Sequence, residues 1–387
     1  MLKQLMIALG LAACASLAHA QQVLIPAPPQ VNASGYILMD ADTGRVLIER
    51  NADELLPPAS LSKIMTVYIV ASEIDQGRLN KSDLVRISPN AWRKGGAASG
   101  GSTMFLDPNS EVPVIDLLRG VIVQSGNDAS IALAEHIAGS EDAFADVMNQ
   151  KAALMGMNAS SFENATGLPG ANHLTTARDM AVLARAMIRE YPDIYRIYSE
   201  RAYTYNGIRQ PNRNALLFRD DSVDGMKTGH TREAGYCLVA SAQRQDMRLI
   251  SVVMGTSSAE ARAVETQKLL AYGFRYYETK GFYDAGDTLT TRRVWSGRAN
   301  EIDLTVAEDI RLTIPRGSER DLKATMTFED VIRAPIEAGQ RLGTLTVELH
   351  DEMLAEVPLI ALQDVERAGF FARIVDSIKL FFRRLFS

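Results

Sequence analysis

Along this chain the spacing of apolar positions changes register several times, and each change marks an element. Two apolar runs, Tyr36–Met39 and Val46–Ile48, flank the turn-rich stretch DADTG and predict a hairpin. From Ser60 onward, Ile64, Met65, Ile69 and Val70 predict a mostly buried helix. Helical spacing dominates from Val114 to Glu190, as in VIDLLRGVIVQSGNDASIALAEHIAG. Strand patterns return in GYCLVASA and MRLISVVMG, joined by the polar QRQD, and EARAVETQKLLAYGFRYYE then reads as a helix. Between Pro89 and Asn109 the sequence PNAWRKGGAASGGSTMFLDPN is rich in Gly, Ser and Ala and has no period, which predicts a long irregular segment that is functional or mobile. Strands thus open and close this region with helices between them. The simplest packing is an α+β unit: an antiparallel sheet assembled from both ends of the region, its faces covered by helices.

After Tyr277 the texture changes. Short alternating runs appear, DIRLTI and TLTVELH, the latter with Leu345, Val347 and Leu349 on one face, separated by Gly-Asp, Pro-Arg-Gly and Ala-Gly turns. This predicts a small all-β domain from Phe282 to Leu362, in which no catalytic constellation is visible. The chain closes with RAGFFARIVDSIKLFFRRLFS. Phe371, Ile374, Val375, Ile378, Phe381, Phe382 and Leu385 fall on one stripe of a helix, while Arg367, Arg373, Lys379, Arg383 and Arg384 outnumber Asp376 on the rest. An aromatic apolar face backed by a basic one is the pattern of a helix lying in a membrane surface.

At the other end, Lys3 precedes an apolar run from Leu5 to Leu17, and Ala18-His19-Ala20 supplies a small-x-small cleavage site. The run is short for a bilayer span. It predicts a signal peptide over residues 1–20 and a mature exported chain starting near Gln21. A retained anchor, or lipidation at Cys14 in Leu11-Ala12-Ala13-Cys14, are the alternatives. The resulting divisions are 1–20, 21–280, 281–364 and 365–387.

The 387 residues are enough for two domains, and a net charge of −6 argues against a general nucleic-acid binder. Once Cys14 is removed with the signal, Cys237 is the sole thiol, so no internal disulfide is possible. Set in GYCLVASA, it reads as a small buried hydrophobe. His136, His173, His230 and His350 are scattered without HxxxH or HExxH spacing, which argues against a metal site; no cofactor is expected.

The candidate chemistry lies in PPASLSKIMTVYIV. Ser60 and Lys63 are three residues apart, so at a helix start their side chains share a face, whereas Ser62 points elsewhere and reads as an ordinary helix residue. A serine hydroxyl needs a base, and a lysine can serve if burial or a neighbouring cation keeps it neutral. Alone, Ser-x-x-Lys is weak, because a helix-capping serine explains Ser60 equally well. Two further motifs change that balance. Ser125-Gly126-Asn127 lies between two helical segments, and Lys227-Thr228-Gly229 precedes a strand pattern. Ser-x-x-Lys, Ser-Asp-Asn and Lys-Thr-Gly together are a signature of active-site serine penicillin-recognising enzymes.

With these three motifs, and with PASLSKIMT, LLRGVIVQSGNDA, FENATGLPG, VDGMKTGHTREAGYCLVASA and RLISVVMG in order, the chain resembles the low-molecular-weight penicillin-binding proteins, serine-type D-alanyl-D-alanine carboxypeptidases of the bacterial periplasm. The likeness runs almost end to end. Gly126 departs from the Ser-Asp-Asn of class A β-lactamases, in the way this family does. The resemblance implies a β-lactamase/transpeptidase-like domain, then the all-β domain and the amphipathic helix.

It also implies roles. Ser60 would attack the carbonyl between the terminal D-alanines of a peptidoglycan stem peptide, with Lys63 as base. Ser125 would relay a proton to the leaving amine, and Asn127 would orient Lys63 and the peptide. The backbone N–H groups of Ser60 and His230 would form the oxyanion hole. Lys227, Thr228 and Gly229 of the strand motif, with Arg262, would bind the substrate carboxylate, a guanidinium suiting bidentate recognition; Lys227 would also help depress the pKa of Lys63. The His230 side chain is secondary, and Asp128 reads as a helix-start residue. β-Lactams would be covalent inhibitors, and the anionic outer face of the inner membrane would bind the terminal helix. The alternatives are a D-alanyl endopeptidase, with the same motifs, and a class A-like β-lactamase. The latter needs a deacylating glutamate, and Glu163-Asn164 does not stand in that arrangement.

Overall fold

The computed structural model describes residues 25–386, so the signal peptide and Cys14 lie outside the described residues. The chain divides into two compact units, one of Pro28–Phe282 with Arg311–Thr313, the other holding Tyr283–Ile310 and the chain from Ile314 on.

The first unit is built on a five-stranded sheet. Strands β1 (Gly35–Asp40) and β2 (Val46–Arg50) form the expected hairpin. Helix α1 (Lys63–Asp75) follows, buried from Lys63 through Ser72, so that this apolar helix runs through the core. Helices α2 (Asn127–Ala138) and α3 (Ala177–Glu190) come next, then strands β3 (Val223–Thr231), β4 (Gly235–Arg244) and β5 (Met247–Thr256), and helix α4 (Ala259–Tyr276). The sheet order is β2-β1-β5-β4-β3, so strands from the two ends of the unit meet at the β1–β5 ladder, where Tyr36 faces Val253 and Leu38 faces Ser251. This is the antiparallel sheet that the distribution of strand patterns predicts. It leaves β3, which carries Lys227-Thr228-Gly229, on the sheet edge. An edge strand keeps one row of backbone groups available, and that is where an extended peptide can be received.

The segment 89–109 is less irregular than its composition suggests. Pro89–Gly95 is a short helix, started by Ser88, whose hydroxyl accepts a hydrogen bond from Ala91 N at 2.9 Å, with proline at the first turn. Ser-Pro is a helix-start signal that the glycine-rich stretch downstream obscures.

In the second unit, β6 (Thr290–Arg293), β7 (Glu301–Val306), β8 (Leu322–Phe328), β9 (Arg341–Leu349) and β10 (Glu352–Ala361) form an antiparallel sheet in the order β6-β7-β10-β9-β8. Leu345, Val347 and Leu349 are all buried, as their alternation predicts. Helix α5 (Phe370–Phe386) lies with Leu380 buried and Asp376 accepting a hydrogen bond from Ser296 N at 2.8 Å. Its apolar stripe faces outward: Phe370, Phe371, Phe381 and Phe382 are all more than half exposed. No helix among the described residues is long and apolar enough to cross a membrane.

Candidate active site

Pro58 to Lys63 makes a tight corner rather than a continuous helix. Ala59–Ser62 is a single 3-10 turn, α1 begins at Lys63, and Ala59 is held at φ +48°, a left-handed conformation uncommon for a residue with a Cβ. The corner sets Ser60 half-exposed in a cleft of about 500 Å³, with Lys63 fully buried beneath it. Lys63 Nζ lies 3.0 Å from Ser60 Oγ, 2.7 Å from Asn127 Oδ1 and 2.6 Å from Thr166 O. The three-residue spacing read from the sequence therefore brings the serine hydroxyl and the lysine amine together. Burial pushes the Lys63 ammonium down to about 7, assisted by the positive charge of Arg213 and opposed by Asp128 and Glu141. A neutral amine has two N–H groups and one lone pair. Asn127 Oδ1 and Thr166 O accept the two, leaving the lone pair for the Ser60 hydroxyl proton.

Ser125 ends a π-helical turn, Gly120–Gln124, and is itself left-handed at φ +60°. This break separates two helices and presents Ser125 and Asn127 to the cleft; Asn127 N is tied to Ser102 O at 2.8 Å. Gly126 has a packing reason, since a Cβ there would meet Met104 Cβ and N at 3.1 Å and Asp128 Oδ1 at 2.8 Å. Asp128 does more than start a helix. Its buried carboxylate accepts from Thr103 Oγ1, Met104 N and Leu106 N, holding the 103–106 strand of chain against α2.

Lys227, almost fully buried on β3, donates to Ser125 Oγ at 2.8 Å and Thr228 O at 3.1 Å. Burial and the neighbouring charges of Lys63, Arg213 and Arg262 push its pKa far down. Two lysines in one buried site repel, so a proton on either disfavours a proton on the other, and the positive charge of Arg213 adds to the lowering of both. Arg213 lines the cleft and the sequence reading did not single it out. It sits in the polar run Gln210-Pro211-Asn212-Arg213-Asn214, where nothing distinguishes it from a solvated charge.

Arg262 projects from the first turns of α4, donates through Nη1 to Gly229 O at 3.1 Å and lies over the Tyr236 ring at 5.6 Å. The exposed His230 ring stacks on the other side chain of this corner, Tyr236, at 3.8 Å, and its Nδ1 is 3.0 Å from Gly235 O. Its ring is thus packed at the rim. Seven of the nine sequence-predicted site residues line the cleft: Ser60, Ser125, Asn127, Thr228, Gly229, His230 and Arg262. Lys63 and Lys227 lie in its floor, bonded to the two serines.

The cleft is also lined by Thr166, Gly167 and Leu168, from a loop that the sequence left without a role. Asn164 Oδ1 accepts from the backbone N–H groups of Thr166, Gly167 and Leu168, folding a turn that aims Thr166 O at Lys63. Gly167, at φ +82°, touches the nucleophile corner so closely that a Cβ would sit 1.8 Å from Ala59 O. Glu163 Oε1 accepts from Asn172 N, and Glu163 is not among the residues lining the cleft. Cys237 is buried, and burial raises its thiol to about 11. Ser62 and His173, to which the sequence assigned no special role, are both buried, and Ser62 Oγ is 2.7 Å from His173 Nε2. Among the described residues no cluster of three or more His, Cys, Asp or Glu is placed to hold a metal.

A serine hydroxyl within hydrogen-bond reach of a buried lysine whose pKa burial lowers, beside a cationic cleft along a sheet edge, is an arrangement suited to acyl transfer on a carboxylate-bearing peptide. The comparisons specify the family. A D-alanyl-D-alanine carboxypeptidase model matches residues 22–258, and a model of the C-terminal domain of penicillin-binding protein 5 matches residues 277–367. The chain is 43% identical over 378 residues to the D-alanyl-D-alanine carboxypeptidase DacA of Escherichia coli, covering 96% of this chain and 94% of the relative. It superposes on the crystal structure of penicillin binding protein 5 from Haemophilus influenzae with a TM-score of 0.84 at 42% identity, covering 88% of this chain and all of that one. Penicillin-binding protein D2 from Listeria monocytogenes, solved in its ampicillin-bound form, matches 64% of this chain and 100% of its own at 29% identity and a TM-score of 0.56. The chain belongs to the serine-type D-alanyl-D-alanine carboxypeptidases, a family of peptide hydrolases.

Proposed function

We propose that this enzyme removes the terminal D-alanine from peptidoglycan stem pentapeptides through an acyl-enzyme on Ser60, and that β-lactams acylate the same serine. The observation that carries the reading is the 3.0 Å approach of Ser60 Oγ to a fully buried Lys63 amine that burial holds near neutrality. Ser60 Oγ attacks the penultimate D-alanine carbonyl carbon while its proton passes to Lys63 Nζ. The developing oxyanion is received by the N–H groups of Ser60 and His230. When the C–N bond breaks, the departing amine takes a proton through Ser125 Oγ, which Lys227 Nζ bonds at 2.8 Å. Water then hydrolyses the ester, with Lys63 again as base. Asn127 orients Lys63 through its Oδ1. Thr228, Gly229 and Lys227 of β3, with Arg262 and Arg213, receive the substrate carboxylate, whose charge also favours the protonated form of Lys227.

The chain is read as exported, its N-terminal segment removed as a signal peptide. The outward aromatic stripe of α5 supports peripheral anchoring on the outer face of the inner membrane, with the basic positions meeting anionic lipid.

The deciding experiment is mass spectrometry of D-alanine release from a pentapeptide, run beside a cross-linked dimer and a chromogenic cephalosporin. Release from the pentapeptide, with stable penicillin labelling that Ser60→Ala abolishes, is the expected result. Preferential cleavage of the dimer favours an endopeptidase, and rapid sustained cephalosporin turnover a β-lactamase; Glu163, bonded to Asn172 away from the cleft, argues against the latter.

A further inference from the structure

Beneath the nucleophile corner, four groups form one continuous chain of hydrogen bonds. Glu163 N–H donates to His173 Nδ1 at 3.1 Å. That bond makes Nδ1 the acceptor, so Nε2 carries the imidazole proton, and Nε2 is 2.7 Å from Ser62 Oγ. Ser62 Oγ–H in turn donates to Ala59 O at 3.0 Å. Burial pushes His173 down to about 4, so the ring stays neutral and keeps this polarity at working pH. Ser62 is fully buried and His173 only 2% exposed, and neither lines the cleft.

The last acceptor matters most. Ala59 C=O belongs to the same planar peptide unit as the Ser60 N–H, and in a trans peptide the two point in opposite directions. Fixing the carbonyl therefore fixes the aim of the N–H. A donor on the carbonyl oxygen also polarises the unit and strengthens its N–H as a donor, each link in a chain reinforcing the next. The corner needs such a restraint, because Ala59 is held at φ +48° and Gly167 packs so closely on it that a Cβ there would lie 1.8 Å from Ala59 O.

We propose that Ser62 and His173 are positioning residues for the oxyanion hole: they orient and polarise the Ala59–Ser60 peptide whose N–H stabilises the tetrahedral intermediate. This rests on the reading of Ser60 as nucleophile and oxyanion donor. It reassigns Ser62 from an ordinary helix position to part of the catalytic support, and it links the 163–173 loop to the chemistry through a second route besides Thr166.

The test uses Ser62→Ala, His173→Ala, His173→Gln and the Ser62→Ala/His173→Ala pair, each checked for thermal unfolding. Glutamine can place an N–H where Nε2 stands. The readouts are kcat and KM for D-alanine release from a D-Ala-D-Ala peptide, the rate of fluorescent-penicillin labelling, and affinity for a peptide boronic acid, whose tetrahedral adduct places an oxygen in the oxyanion hole. Losing one oxyanion donor outright costs a factor of a hundred or more, so weakening one through its partner is expected to lower kcat, labelling rate and boronate affinity by about tenfold each. KM should change less than twofold, His173→Gln should recover most of the loss, and the pair should be no worse than the worse single change. Wild-type labelling by Ser62→Ala, a loss confined to KM, or additive losses in the pair would overturn the proposal. Labelling that survives Ser60→Ala would instead overturn the nucleophile assignment on which it rests.

Discussion

Lys227 Nζ and Ser125 Oγ are 2.8 Å apart although 102 residues separate them in the chain. The contact joins the edge strand of the sheet to the break before α2 and forms a second serine–lysine pair beside Ser60–Lys63. The two pairs sit in one buried floor but differ in surroundings. Lys63 faces two carbonyl oxygens that accept its N–H groups, whereas Lys227 donates to Ser125 Oγ and to the neighbouring Thr228 O. That asymmetry suits one lysine to take the serine proton and the other to support its return to the leaving group.

Activity should follow the Lys63 proton. Its folded-state pKa is lowered from 10.5 to about 7, so the base form is lost as pH falls through 7. The acid limb of kcat/KM for D-alanine release is expected to have a midpoint near pH 7 and to drop about tenfold per unit below it. The sign for stability is the same. Between about pH 7 and 10.5 the unfolded chain holds a proton on Lys63 that the folded chain does not, so this lysine's contribution to stability rises with pH across that window. A pH–rate profile and urea unfolding at several pH values check both.

Gly167→Ala should be damaging far beyond the size of a methyl group. The residue is at φ +82°, and the new Cβ would lie 1.8 Å from Ala59 O, against backbone that cannot swing aside. Strain of this kind is expected to cost about 2 kcal/mol or more of stability. The displaced corner should also slow penicillin labelling. Thermal unfolding and a labelling time course measure the two effects.

Arg262→Ala should act mainly on binding. The guanidinium spends one N–H on Gly229 O and stacks on Tyr236, which leaves its other donors for an anion in the cleft. Charge-assisted bonds are worth about 1.5–3 kcal/mol, so KM for the D-Ala-D-Ala peptide is expected to rise about tenfold or more. Arg262→Lys should recover little, because a point charge cannot hold the planar two-bond geometry. Steady-state kinetics that show an unchanged KM would remove Arg262 from carboxylate binding.

Removing residues 370–387 should release the enzyme from membranes without loss of turnover. Helix α5 belongs to the second unit, presents its aromatic stripe outward and contributes nothing to the cleft. Flotation with vesicles containing phosphatidylglycerol is expected to carry the full chain and leave the truncated one in solution. Co-flotation of the truncated protein would place the membrane contact elsewhere.

Much of this was legible in one dimension, and the reasons are local. The hairpin, the strands around QRQD and the terminal helix follow from periodicity, because burial on one face imposes a spacing on any chain. Ser60 and Lys63 meet because three residues is one turn, whether the turn is 3-10 or α. The three motifs named the chemistry because they occur together and in order, although Ser-x-x-Lys alone is weak. What the sequence alone could not determine was every relationship set by packing between distant segments. That Arg213 acts on Lys63, that Asn164 folds a turn aiming Thr166 O at the same amine, and that Ser62 is held by His173 are facts of loops brought together from about 100 to 150 residues apart. Such contacts leave no period behind them, and a polar side chain that will be buried reads the same as one that will face water. The tertiary structure decided which was which, and with it how Ser60, Lys63 and the Ala59–Ser60 peptide are held in place.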